Sequence, residues 1–232
     1  MEPASRNLRT LTYISAALFL VSLYMVFFYA PLEVVMGQVQ RVFYYHVSSL
    51  WVGMLAFLVT FIVGIIYLRT GNLKWDRIAV GSAEIGLVFT IMGTAGGAIW
   101  ARPIWNTWWT WDPRLTTTTI MLLLYVAYLM LRQGIDDPER RRRFASVYGI
   151  VAFVSVPLTF FAIRIWRTIH PVVIGTGDPE AEGGFNMTPR MVQTLLFSFF
   201  TFTLLYITLL WHRVRLERLS EHMAALRAKF VS

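Results

Sequence analysis

The chain has no cysteine, which excludes disulfides, thiolate metal sites and cysteine nucleophiles. Acidic residues are few: 13 Asp and Glu stand against 21 Lys and Arg, for a net charge of +8. Charged residues of both signs make up only 15% of the chain. There is no glycine-rich phosphate loop of the Walker type, so any use of ATP would belong to a partner. No histidine falls in the middle of an apolar block, and no stretch between blocks is long enough for a water-soluble domain. The first block is too long for the apolar region of a signal peptide and lacks a convincing small-residue cleavage site, so it reads as a retained span.

What remains is apolar. Hydrophobic residues are 56% of the 232, and the mean hydropathy is +0.56. They come in long blocks, and a bilayer about 30 Å thick needs about 20 such residues per crossing. Spans are expected at 10–30, 45–68, 79–99, 114–132, 144–166 and 191–211, within one membrane domain covering residues 1–232. The fold class is therefore all-α, polytopic, with six transmembrane helices. Pro31, Gly71, Pro103, Pro113, Pro138 and the stretch from Gly175 to Pro179 punctuate the connections, and Pro157 should kink span five.

A basic pI of about 10.1 suggests nucleic acid in a soluble protein, but here its distribution points to topology. Segments 1–9, 69–78, 132–143 and 212–232 hold fifteen of the Lys and Arg residues, and the other connections hold six. The positive-inside rule then places both termini in the cytoplasm. Segments 31–44, 100–113 and 167–190 should face outward.

The unusual residues lie in those outward segments. Five of nine tryptophans (Trp100, Trp105, Trp108, Trp109 and Trp111) fall within twelve residues. An interfacial aromatic belt accounts for one or two per helix end. If 105–112 is helical, Trp105, Trp108, Trp109 and Asp112 share a face, giving a flat apolar platform for a flat ligand. Asp112 before Pro113 is also a good cap for span four. His46 opens span two and His170 follows span five, at similar depth on either side of the aromatic loop. Two imidazoles fit the axial positions of a haem iron, although a single interfacial histidine is more often just a polar end group. Arg102, Arg114, Arg164 and Arg167 crowd the same face, suited either to carboxylates or to lipid phosphate. His212 and His222 read as solvated. Glu84, the one acid placed inside a span, is a functional candidate by position but close enough to the inner end to snorkel. Gly93 and Gly97 form a GxxxG for close helix packing.

The stretch Trp100 to Arg114 resembles the tryptophan-rich WWD signature of haem-handling proteins in cytochrome c maturation. Over nearly its full length the chain is similar to the haem exporter protein C (CcmC) family. The pattern WGxxWxWD is met from Trp105 to Asp112 with Asn106 in the glycine position. Ala101 replaces another glycine, and His46-Val47-Ser48 stands where His-Val-Pro is usual. The resemblance implies haem b (iron-protoporphyrin IX) bound on the outer face, with His46 and His170 as axial ligands. Trp105, Trp108, Trp109, Trp111 and Asp112 would form a platform for haem and for a CcmE-like chaperone. It also implies a CcmA–CcmB ATP-driven unit and a small CcmD as partners. Binding and presentation are expected, with neither pumping nor catalysis by this chain, and the absence of cysteine rules out a CxxCH attachment. Cytochrome c synthetases of the CcsA or CcmF type share the loop but are longer, with histidines inside the membrane. A b-type electron carrier would place histidine pairs at depth in facing spans. A cofactor-free scaffold would use the tryptophans as an anchor only.

Overall fold

The computed structural model describes residues 5–34, 36–166, 168, 170 and 187–231. Its helices are α1 (Arg6–Tyr24), continued by a π-helical turn at Met25–Tyr29, then α2 (Gln40–Thr70), α3 (Leu73–Trp105), α4 (Pro113–Gln133), α5 (Pro138–Ala152), α6 (Ser155–Ile165) and α7 (Pro189–Val231). Six helical stretches among the described residues are long and apolar enough to cross a membrane: 6–29, 40–70, 73–105, 113–133, 138–165 and 189–223. The chain is an all-helical, multi-pass membrane protein, with no strand among the described residues beyond an isolated bridge between Glu33 and Gly37.

Local chemistry sets the helix ends. Ser5, Asn72, Asp112 and Asp137 each accept a backbone N–H and cap α1, α3, α4 and α5. Both aspartates precede a proline whose missing N–H costs nothing at the first helical position. Gly71 stops α2 in the left-handed conformation, at φ 65°. Span five breaks between α5 and α6 at 153–154, because the Pro157 ring cannot donate to Phe153 and crowds its carbonyl. Pro103, expected to punctuate a connection, lies inside α3 instead, two residues before the helix ends.

The longest packing seam joins α2 to α3, and α7 packs on α1, α2 and α3 while α4 rests on α5 and α6. Small residues let α2 and α3 approach: a Cβ on Gly86 would sit 2.8 Å from Phe57, and one on Gly93 2.8 Å from Leu50. Side-chain hydrogen bonds join α1 to α7: the hydroxyls of Ser15 and Thr208 lie 2.7 Å apart, and the Thr12 hydroxyl is 2.9 Å from His212 Nε2. His212 is thus half-buried and bonded rather than solvated, whereas His222 is exposed. Glu84 does not snorkel alone: Arg213 of α7 donates to it twice, at 2.5 and 2.9 Å.

Candidate functional site

His46 lies deeper than its expected place at the start of a span. Helix α2 begins at Gln40, so His46 is six residues in, or about 9 Å along the axis at ~1.5 Å per residue. The polar pair Gln40-Arg41 masked this start, since hydropathy alone begins the span later. The imidazole faces α3, where its Nδ1 is 2.6 Å from the carbonyl oxygen of Gly93. A carbonyl only accepts, so Nδ1 carries the proton and Nε2 of the neutral ring is left with its lone pair. The ring occupies the space of an absent side chain, because a Cβ on Gly97 would fall 2.6 Å from its Cε1. The Gly93–Gly97 pair does serve close packing, and part of what packs there is His46.

His170 is held from the other side. Its Nδ1 is 3.0 Å from Asp112 Oδ2, an oxygen that also accepts from the Thr168 hydroxyl. Asp112 Oδ1 accepts from Leu115 N at 2.8 Å and caps α4. Burial alone would raise the Asp112 pKa, but the hydrogen bonds from His170, Thr168 and Leu115 outweigh it and bring it down to about 2. The ionised carboxylate accepts only, so His170 donates through Nδ1 and its Nε2 is likewise unspent. Thr168 carried no signal in the sequence, being one of many threonines near a span end.

The two histidines line one cavity, although 124 positions separate them. Trp105, Trp108, Trp109, Arg114, Arg164 and Thr118 share its walls. So does Trp100, which is almost fully buried and was read only as part of the aromatic cluster. The walls come from α2, α3, α4, α6 and α7 together with the segment joining α3 to α4.

The tryptophan segment is not the expected short helix. Asn106, with φ 51°, closes α3 in the left-handed conformation, and residues 107–112 are irregular. The Thr107 hydroxyl bonds both the N–H and the carbonyl of Trp109, which fixes a tight local turn in place of a helical one. The rings meet edge to face: Trp100 with Trp105 at 85° and Trp109 with Trp111 at 82°. They form a lined hollow rather than a flat floor. Trp105 packs against the His170 ring, 5.4 Å between centroids. Trp111 lies outside the hollow and is 71% exposed.

The arginines divide. Arg114 lines the cavity and donates to the carbonyls of Thr159 and Phe160, tying α4 to α6. Arg164 also reaches the cavity wall. Arg102 bonds the Asn106 side chain at the rim, and Arg167 lies outside the described residues. The buried indole N–H groups of Trp100 and Trp105 and the Thr110 hydroxyl, all on residues of the cavity wall, find no partner among the described residues.

The profile of a family described as "Heme exporter protein C" matches residues 1–229. Proteins called heme exporter protein C are similar over most of their length. That of Bradyrhizobium diazoefficiens is 30% identical over 204 residues, 85% of this chain and 74% of its own. That of Escherichia coli K12 is 32% identical over 193 residues, 82% and 74%. That of Haemophilus influenzae is 31% identical over 199 residues, 83% and 77%.

Proposed function

Because this chain belongs to the heme exporter protein C family, we propose that it takes part in haem handling for cytochrome c biogenesis, holding haem b on the outer face of a cytoplasmic membrane. The observation that carries this reading is the convergence of His46 and His170 on one tryptophan-lined cavity, each with Nδ1 engaged and Nε2 unspent. Among the described residues no three His, Cys, Asp or Glu side chains gather as a metal site. Two imidazoles fall short of the three or four protein ligands a bare ion takes, but they complete the axial positions of an iron already held by a macrocycle.

The residues present suit such a guest. Indole faces and edges give the apolar contact area a porphyrin needs. Arg114 and Arg164 on the wall suit its two carboxylates. The unpartnered N–H groups of Trp100 and Trp105 and the Thr110 hydroxyl supply further donors, whose burial without a partner costs about 1–3 kcal/mol each. Iron chemistry belongs to the haem, while the chain binds it, orients two imidazoles toward it and screens it from water. Trp108 and Trp111, 58% and 71% exposed, lie at or beyond the rim, where a CcmE-like chaperone would meet the site. CcmA, CcmB and CcmD would complete the assembly, with energy from ATP supplied outside this chain.

The test is the absorption spectrum of the detergent-purified protein beside His46→Ala and His170→Ala. A bis-imidazole haem spectrum that both substitutions remove or alter is the expected result. Haem indifferent to both, or no haem after expression with ample supply, would leave an aromatic-anchored membrane subunit and overturn the reading.

A further inference from the structure

The two imidazoles differ in what holds them. His46 donates to a neutral acceptor, the carbonyl of Gly93, at 2.6 Å. His170 donates to a carboxylate oxygen of Asp112 at 3.0 Å. A ring whose N–H faces a carboxylate gives up more of its proton and becomes the more basic ligand, whereas a peptide carbonyl draws on it less. Asp112 divides its oxygens between two tasks, one capping α4 through Leu115 and the other holding His170. Thr168 donates to that second oxygen as well, and so takes a share of its electron density.

We propose that the site is built from two unequal imidazoles, in which Asp112 acts as a positioning residue that makes His170 the stronger electron donor to a bound iron and Thr168 tempers it. The inference rests on the haem reading above and deepens it. A more basic axial ligand stabilises the ferric state over the ferrous, so the carboxylate lowers the midpoint potential and the threonine hydroxyl partly restores it.

Opposite changes on the two partners therefore give shifts of opposite sign. In the full-length, haem-loaded protein, Asp112→Asn raises the midpoint potential, because the amide oxygen is the weaker acceptor. That substitution also deletes a negative charge, which raises the potential without any role for His170. Thr168→Val changes no charge. It leaves the carboxylate more fully to His170 and lowers the midpoint, and Thr168→Ser, which keeps the hydroxyl, leaves it at the wild-type value.

The measurement is a spectroelectrochemical titration of the four proteins. A rise in Asp112→Asn with a fall in Thr168→Val, reversed by Thr168→Ser, supports unequal ligands. If Asp112→Asn does not retain haem, the sign of the Thr168→Val shift decides alone. A Thr168→Val midpoint equal to or above wild type overturns the proposal, since Asp112 would then serve only to hold the loop. A wild-type protein without haem fails the earlier reading instead, and the two failures are distinct.

Discussion

At the scale of single residues, the site depends on atoms that are missing as much as on those present. Gly97 is the clearest case. A methyl group there would lie 2.6 Å from Cε1 and 2.9 Å from Nδ1 of His46, too close for any real Cβ. The ring would have to swing away, giving up its bond to Gly93. Overpacking of this kind costs about 1–3 kcal/mol, and every ~1.4 kcal/mol is tenfold in an equilibrium constant. Gly97→Ala is thus expected to weaken haem binding by about fivefold to a hundredfold with the helix content unchanged. Gly96→Ala is the control, its Cβ meeting His46 Cβ at an ordinary 3.5 Å. A haem titration of both variants checks this, and equal affinities would show that the groove does not set the ring. The sequence told part of this story. Glycines four apart mark a close approach, but nothing in a linear string says that the approaching group is the histidine 51 positions earlier. The Asp112–His170 contact was hidden for the same reason: each residue had a sufficient local role, one as a helix cap and the other as an interfacial end group.

At the scale of elements, hydropathy located all six crossings, since each apolar block must be hydrogen-bonded as helix in lipid. It placed most of the ends too far inward, because helices continue through polar residues that hydropathy discounts. Helix α2 gains Gln40 and Arg41 this way, and α3 gains its first turn. Asp76 sits in that turn, buried at 5% exposure. Arg132 of α4 donates to both its oxygens at 2.7 and 3.0 Å, and Arg142 of α5 stands at 3.7 Å. One carboxylate therefore pins three helices, a role invisible while Asp76 counted as loop. Removing one partner of a buried pair costs about 3–5 kcal/mol, because the other charge stays buried and uncompensated. Asp76→Ala, which strands two guanidinium groups, should lower the thermal unfolding midpoint sharply in detergent. Because Asp76 belongs to the opposite end of α3 from Trp105, any protein that remains folded should keep the wild-type haem spectrum. A near-neutral melt would mean that water or lipid already compensates the arginines. The tryptophan segment shows the converse error. Its i, i+3, i+4 spacing mimics a helix, yet the Thr107 hydroxyl and the left-handed Asn106 divert the chain, and neither effect has a periodic signature.

At the scale of the whole molecule, charge and aromaticity are segregated along the bundle. Asp76 and Glu84 of α3 and Glu217 and Glu221 of α7 pair with Arg132, Arg142, Arg213 and Arg77 at the end where Lys and Arg are dense. The opposite end carries the five clustered tryptophans, His46, His170 and Asp112. Pairing does not weaken the topological argument, because orientation follows the count of Lys and Arg near span ends and acids contribute little. Fifteen against six is a large bias, and the proposed outer-face position of the cavity rests on it. The absence of cysteine makes the orientation directly measurable, since a single introduced thiol is the only one a maleimide can find. Trp111→Cys places it at the exposed rim of the aromatic loop, and Asp136→Cys places it in the exposed turn between α4 and α5. In intact cells treated with a membrane-impermeant maleimide, Trp111→Cys should label at once and Asp136→Cys only after permeabilisation. The reverse pattern would turn the cavity toward the cytoplasm. An outer-face handover would then be impossible for this chain, even if both histidines still held haem.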